Sequence, residues 1–225
     1  MDDPGPPTAA VRGFYDAVAR EYADHFADEL DGKPLDRALL ERFADGVRGA
    51  GPVYDLGCGP GGQTTAFLHA RGVDARGVDL SRAACAEAAR RHPRIPFMMA
   101  DMLALPLPDG DTAGIVAFYA VVHFGPAQLR AAIAEMHRVM RAGAPLLLSF
   151  HVGEDVVHVD EMFGRRVSVD FRFHPVERVD DALRAAGLGE VETIVRDSYP
   201  QEHPTRRAYV LARKPVDPAV AHPTG

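Results

Sequence analysis

Short apolar runs alternate along most of the chain with longer stretches in which apolar residues recur at helical spacing. The runs contain few polar residues, a pattern typical of strands that are buried on both faces of a sheet. Five of them follow Gly51: Val53–Leu56, Ala75–Val78, Phe97–Met99, Gly114–Val121 and Pro145–Phe150.

The stretches between the runs carry helix signals. Ser81 is a residue type that caps helix N-termini, and Pro126 suits a first helical turn. In the last stretch the apolar residues recur at helical spacing, so we expect one of its faces to pack on the sheet. The predicted helices are Gln63–Ala70, Ser81 to about Arg91, Pro126–Gly143 and Pro175–Gly187.

This alternation predicts right-handed crossovers and a parallel sheet that helices cover on both sides. Two further strand candidates, Val191–Val195 and Tyr209–Arg213, follow the last helix and are expected to add an antiparallel pairing at the sheet edge. We therefore predict an α/β fold: a Rossmann-like, doubly wound, mostly parallel seven-stranded sheet with an antiparallel edge strand.

The region before the first run predicts helices instead of strands. Apolar side chains between Tyr15 and Phe26 share one helical face, and Leu35–Phe43 suits a second helix. We expect residues 9–50 to form an N-terminal helical lid on a core of residues 51–214.

Residues 152–174 form an insertion after the fifth strand. Within it, Val156–Val159 and Val167–Phe173 alternate in polarity enough to predict a short hairpin, which would act as a cap above the sheet edge. Residues 1–8 and 215–225 are rich in proline and polar or small residues, and we expect both segments to be disordered.

Composition narrows the classes of function. The formal net charge is −7, and only two lysines occur, so a nucleic-acid partner is not expected. Cys58 and Cys85 provide no disulfide framework. No apolar run approaches the length of a membrane span, and the N-terminus lacks the regions of a signal peptide. We therefore expect a cytoplasmic protein without a membrane partner.

The densest chemical signal is the glycine-rich stretch DLGCGPGG, which follows the first strand and precedes a helix. Glycines let the backbone turn tightly and approach a ligand closely. Through Gly57, Gly59 and Gly62 the stretch fits G-x-G-x-x-G, so an NAD(P)-dependent oxidoreductase is one interpretation.

Acidic residues at three successive strand ends favour a different ligand. Asp55 stands where a carboxylate repels pyrophosphate but attracts an ammonium group. Asp79 ends the second strand and suits both ribose hydroxyls, whereas Asp101 follows the third and suits the adenine amino group. S-adenosylmethionine (SAM) carries all these groups and no phosphate, so these acids predict a SAM site at the carboxyl edge of the sheet.

With these residues in this order, the chain resembles the class I SAM-dependent methyltransferases, especially the small type 11 group. The matching stretches are DLGCGPGG, GVDLS, MMADMLALPLPDG, AFYAVVHF and APLLLSFH, within roughly residues 10–214. The chain departs from the family at Gly114, where an Asp of mostly structural importance is common. The resemblance implies SAM as cofactor and methyl transfer to a small molecule, with natural-product metabolism as a suggested setting.

The resemblance also implies roles for individual residues. Tyr22 corresponds to a lid tyrosine that reaches the SAM carboxylate, and Tyr119 is a further candidate for the pocket wall and the cofactor site. The implied contacts are Asp55, Gly57, Cys58 and Gly59 with the methionine portion, Asp79 with ribose, and Leu80, Asp101 and Met102 with adenine.

Methyl transfer needs a base only when the acceptor loses a proton. His123, after the fourth strand, is the first candidate for this base and His151 the second; a polar pocket wall is an equal alternative for His123. His151, His158 and Asp160 lie close in sequence but lack tight ligand spacing, so no metal site is expected.

The insertion contains Arg165, Arg166 and Arg172, which are candidate anchors for a carboxylate of the acceptor. Two alternatives to methyl transfer retain a SAM site. One is a SAM-binding regulator that no longer transfers the group, and the other is an enzyme of the same fold that catalyses a different reaction.

Overall fold

The computed structural model describes residues 5, 6 and 8–216, and these residues form a three-layer α/β fold. The helices are α1 (Thr8–His25), α2 (Pro34–Val47), α3 (Gln63–His69), α4 (Arg82–Arg91), α5 (Pro126–Val139) and α6 (Val176–Ala185), with a 3-10 helix at Glu29–Gly32. The strands are β1 (Pro52–Leu56), β2 (Asp74–Asp79), β3 (Phe97–Met99), β4 (Gly114–Phe118), β5 (Pro145–Val152), β6 (Val156–Met162), β7 (Arg165–Arg172), β8 (Gly189–Arg196) and β9 (Arg206–Arg213).

Seven strands form the main sheet in the order β3-β2-β1-β4-β5-β9-β8. The first five pair in parallel, and β9 pairs antiparallel with both β5 and β8. The predicted fold class is therefore confirmed. The antiparallel strand is β9, and it lies one position in from the edge of the sheet. The chain first adds β8 as the edge strand, and β9 then pairs between β5 and β8.

Alternate residues of the buried strands face different helical layers. On β4, Val116 packs in the cluster that contains α2 and α3, whereas Ile115 and Ala117 pack in the cluster that contains α5 and α6. Side chains along a strand alternate between its faces, so both faces need apolar residues here. This burial explains the continuous apolar runs. Within the described ranges, no helix is both long and apolar enough to cross a membrane.

Above the sheet edge, α1 packs against a separate two-stranded sheet of β6 and β7. Phe14 and Val18 of α1 and Val169 of β7 form one buried apolar cluster, which Phe163 and Phe171 extend. We call α1 and the β6–β7 hairpin the roof. The disorder predicted for residues 1–8 and 215–225 falls mostly outside the described residues, although Thr8 already belongs to α1.

Ser81 connects the roof to the core. Its Oγ accepts a hydrogen bond from the Ala84 N–H at 3.0 Å, which caps α4 as predicted. The same hydroxyl donates to Asp16 of α1 at 2.5 Å, and the Ala83 N–H donates to that carboxylate at 3.1 Å. One hydroxyl therefore serves both the helix end and the attachment of α1.

We expect Ser81→Ala to lower the free energy of unfolding by about 1–2 kcal/mol, because the helix loses its N-cap and Asp16 loses a donor. Urea denaturation of the variant measures this loss. Ser168→Ala is the control: this exposed serine of β7 should change stability by less than about 0.5 kcal/mol. An equal effect of both substitutions would contradict the role of Ser81.

Candidate functional site

A cavity of about 770 Å³ lies between the carboxyl ends of the parallel strands and the roof. Its volume falls in the range of small-molecule sites. The lining contains all but one of the residues that the sequence nominates for cofactor binding or for the catalytic base. These are Tyr22, Asp55, Gly57, Cys58, Gly59, Asp79, Leu80, Met102, Tyr119, His123 and His151.

Asp101 is the nominated residue that the cavity lining does not include. Its carboxylate accepts a hydrogen bond from the Leu103 N–H at 2.9 Å, and its carbonyl accepts one from the Ala104 N–H at 3.0 Å. The side chain thus stabilises the turn after β3, while its neighbour Met102 reaches the cavity. The adenine contact of Asp101 stays a prediction.

Three glycines shape the loop after β1. Gly57, Gly59 and Gly62 have φ values of 71°, 64° and 58°, in the left-handed region that favours glycine. A Cβ on Gly57 would lie 2.5 Å from the Cβ of Ala120, and one on Gly62 would lie 2.9 Å from the Phe97 ring. A Cβ on Gly59 would meet no atom within 4 Å, so Gly59 presents bare backbone to open space.

Asp79 is held in one orientation beside this loop. One carboxylate oxygen accepts a hydrogen bond from the Gly59 N–H at 3.0 Å, and the other accepts from the Ser81 N–H at 2.8 Å. Only 8% of the residue is exposed, and this burial raises its pKa. Each oxygen retains acceptor capacity after one hydrogen bond, so both are available to a ligand with two donors.

Asp55 is the second buried acid, at 1% exposure. It accepts a hydrogen bond from the Thr65 hydroxyl at 2.6 Å. Burial nevertheless raises its pKa to about 7, because the ionised form loses its hydration. A cationic ligand in the cavity would stabilise the ionised form.

His123 is buried at the junction of the sheet and the roof. Its Nδ1 lies 2.7 Å from the Asp170 carbonyl oxygen; a carbonyl only accepts, so we assign the ring hydrogen to Nδ1. Nε2 then accepts the hydrogen bond from the Tyr15 hydroxyl at 2.9 Å. Burial lowers the pKa of His123 to about 4 and raises that of Tyr15. The pair therefore joins a neutral imidazole to a neutral phenol.

His151 lies on β5, opposite β9. Its Nδ1 is 2.7 Å from the Thr205 hydroxyl, and its ring stacks on Phe173 at 5.3 Å. Burial lowers the pKa of His151 to about 3, and the charges of Arg207 and Lys33 lower it further. This histidine is neutral at physiological pH and lies among positive charges.

Tyr119 contributes its ring to the cavity wall and directs its hydroxyl elsewhere. The hydroxyl donates to Asp36 at 3.2 Å and lies 3.0 Å from the Tyr209 hydroxyl, inside a buried polar network. The Lys33 ammonium stands 4.6 Å from the centre of the Tyr119 ring. Tyr119 thus shapes the wall, as the sequence predicts, and its contact with a cofactor stays a prediction.

The arginines of the insertion do not line the cavity. Arg165 pairs with Glu21 of α1 at 2.5 Å, and the Arg172 guanidinium lies 3.5 Å from the Asp170 carboxylate. Their candidacy as carboxylate anchors is therefore not supported. The cations in the lining are Lys33 and Arg207, which sequence analysis did not nominate.

Comparison with known proteins finds similarity to methyltransferases. Residues 53–143 match the family model described as "Methyltransferase domain". A demethylmenaquinone methyltransferase from Beutenbergia cavernae is 32% identical over 141 residues, which span 62% of this chain and 57% of the relative. The chain spans about half the length of the curated relatives it matches.

Two solved structures share the fold over 96% of the chain. The Burkholderia thailandensis 1,6-didemethyltoxoflavin-N1-methyltransferase, solved with S-adenosylhomocysteine, gives a TM-score of 0.70 at 20% identity and is covered over 94% of its length. The [4+2]-cyclase SpnF gives 0.69 at 22% identity and is covered over its full length (100%). At such identities these likenesses establish the architecture alone.

Proposed function

We propose that this chain is a class I SAM-dependent methyltransferase, which binds SAM in the cavity and transfers its methyl group to a small-molecule acceptor. The observation that carries the proposal is the placement of two buried carboxylates, Asp55 and Asp79, around the bare backbone of Gly59. This arrangement suits a cationic nucleoside and disfavours a pyrophosphate.

The chemistry of the cavity fits SAM part by part. Asp79 offers two oriented acceptors for the ribose hydroxyls, and Asp55 offers a negative charge for the ammonium group. Leu80 and Met102 supply apolar contacts for adenine, and Tyr22 supplies a hydroxyl for the carboxylate. When bound, SAM supplies an electrophilic methyl group on a sulfonium that leaves as a neutral thioether.

The protein's own part in transfer is positioning, exclusion of water and movement of a proton. The roof excludes water from above, because α1 and the hairpin share one apolar cluster. We propose that an acceptor hydroxyl gives its proton to the Tyr15 oxygen while the Tyr15 proton moves to Nε2 of His123. His123 would thus serve as the base through Tyr15, and His151 would line the acceptor end.

This relay makes a direct prediction for His123. Long-range ¹H–¹⁵N NMR spectra should show an imidazole with its hydrogen on Nδ1 and a protonation midpoint of about 4. Tyr15→Phe should leave this tautomer unchanged, because the Asp170 carbonyl determines it. A midpoint near 6.5, the ordinary value, would remove the buried neutral base from the proposal.

Turnover provides the second test of the relay. His123→Ala and Tyr15→Phe should each lower kcat with little change in the KM for SAM, whereas His158→Ala, at an exposed position of the hairpin, should change neither. If both single variants retain full kcat, either the proton leaves by another route or the acceptor has none to lose.

The proposed function itself is tested by calorimetric titration with SAM, S-adenosylhomocysteine (SAH) and NADH, followed by an assay for SAH release from mixtures of small hydroxyl- and amine-bearing molecules. We expect binding of the first two ligands and not of NADH. Binding of NADH alone would favour the oxidoreductase interpretation.

A second candidate function is catalysis of a different reaction by a chain that keeps its SAM site; a [4+2]-cyclase shares this fold over 96% of the chain, which is compatible with that alternative. An enzyme of that kind would bind SAM without consuming it. SAH release separates the two candidates, because only methyl transfer produces it. A natural-product setting is part of this proposal; the other structural relative was solved with bound 1,6-didemethyltoxoflavin, a small-molecule ligand.

A further inference from the structure

We infer that the methyl acceptor carries an anionic group, of the carboxylate class, which binds Arg207 at the β5–β9 end of the cavity. The inference rests on the proposed function, since it describes the acceptor of that reaction. Nothing in the sequence pattern singles out Arg207, and the arginines nominated from sequence lie elsewhere.

Arg207 is a buried cation with an unsatisfied donor. Only 3% of the residue is exposed, and it lines the cavity. Its Nη1 donates to the carbonyls of His203 and Thr205 and to the Thr205 hydroxyl. Its Nε is fully buried without a hydrogen bond, and the nearest carboxylate oxygen, on Glu202, is 3.5 Å away. Arg207 lines the cavity, and Lys33 and Arg196 share the Glu202 carboxylate that neutralises it, so an anionic ligand group would stabilise this guanidinium.

The surrounding charges also favour an anion. Three buried or nearly buried cations, Lys33, Arg196 and Arg207, face two buried carboxylates, Asp36 and Glu202. Arg196 makes the shortest of these contacts, 3.1 Å to Asp36 and 2.6 Å to Glu202, whereas Lys33 and Arg207 lie 3.4 and 3.5 Å from Glu202.

The remaining acid in this group is at the rim. Glu29 pairs with Lys33 at 2.8 Å, but its side chain is 40% exposed and partly hydrated. It therefore offsets the Lys33 charge only weakly. Burial is the main cause of the lowered pKa of His151; the charges of Arg207 and Lys33 lower it further, and Glu202 opposes them.

The adjoining wall defines the rest of the acceptor. The His151 ring stacks on Phe173, and Phe171 and Phe124 also line the cavity. Arg207 pairs with His151 across β5 and β9, so the cation and the aromatic wall lie side by side. An acceptor with a planar or apolar body and one anionic group would match both surfaces.

A carboxylate is also present in SAM, so the experiment must separate two sources of the same chemistry. The protein is first saturated with SAH, which places the cofactor's own carboxylate. A panel of aromatic carboxylates, including benzoate, 4-hydroxybenzoate and 2-naphthoate, is then titrated beside the matched neutral carboxamides.

We expect the carboxylates that bind to exceed their carboxamides in affinity by about tenfold or more, the factor typical of a hydrogen bond to a charged group. Arg207→Gln should abolish this preference and leave the Kd for SAH within about twofold. Arg206→Gln is the matched control, because the neighbouring arginine on β9 is exposed and outside the cavity lining.

Several outcomes would overturn the inference. For the wild-type protein, these are equal affinity for carboxylates and carboxamides, or no binding of either. For Arg207→Gln, they are a preference for carboxylates that survives the substitution, or a loss of SAH affinity as large as the loss of carboxylate affinity. The last would assign Arg207 to the cofactor's carboxylate. If Arg207→Gln does not fold, the wild-type panel and Arg207→Lys decide, since lysine keeps the charge and loses the forked geometry. Failure of wild-type protein to bind SAH would instead reject the proposed function.

Discussion

Asp79→Asn weakens the binding of both SAM and SAH by about 10- to 100-fold, the range for the loss of a hydrogen bond to a charged group. In the proposed site the carboxylate would offer one acceptor oxygen to each ribose hydroxyl, and the Gly59 and Ser81 N–H groups hold it in place. An amide keeps a single acceptor and turns a donor towards either a hydroxyl or an N–H. Calorimetric titration of the two ligands measures the loss.

Asp74→Asn is the matched control, because Asp74 begins the same strand, is exposed and pairs with Arg76 at 2.9 Å. We expect it to leave both dissociation constants within about twofold. The thermal midpoint of each variant without ligand shows whether the fold survives the substitution. If Asp79→Asn folds and binds SAM as tightly as wild type, the ribose contact is wrong.

Most of the fold could be predicted because its signals are local. β1, β2 and β4 are buried on both faces, so each appears in the sequence as an apolar run, and the caps and prolines indicate where helices begin. The β6–β7 hairpin could be predicted from its alternation. The position of β9 between β5 and β8 could not be predicted, since strand order depends on pairing between segments far apart in sequence.

The placement of Asp55 and Asp79 beside one cavity was predictable for a related reason. Asp55 and Asp79 each stand at the carboxyl end of a parallel strand, and such ends share one edge. Asp101 follows the same pattern, yet the turn after β3 takes up its carboxylate. Strand position alone therefore locates a residue without determining where its side chain is directed.

The part of the cavity that we propose for the acceptor is formed by long-range contacts. Tyr15 and His123 are 108 positions apart and meet because α1 packs across the cavity. Arg207 faces His151 only through the register of β5 and β9. No rule of sequence spacing connects such residues. The sequence therefore pointed to the arginines of the insertion as carboxylate anchors and not to Arg207.

Asp55→Asn should make the ligand-free protein more stable above pH 7 and weaken its binding of SAM at the same pH. The folded state raises the pKa of Asp55 from 3.8 to about 7, so between these values the folded protein binds the extra proton. The free energy of unfolding of wild type therefore falls relative to that of the variant as the pH rises from about 4 to 7. Above pH 7 the ionised Asp55 lowers the free energy of unfolding of wild type by roughly 4 kcal/mol at most. Urea denaturation across this range measures it.

The same proton links stability to the ligand. Below pH 7 Asp55 is largely neutral, so the SAM affinities of wild type and Asp55→Asn should converge; above pH 7 the ionised wild type should bind more tightly. Asp45→Asn, at an exposed residue paired with Arg48, controls for the general effect of removing a carboxylate. Parallel affinity curves for wild type and Asp55→Asn would mean that Asp55 does not face the cation. A buried acid that costs the empty protein stability and strengthens ligand binding is what a site built for a cationic cofactor requires.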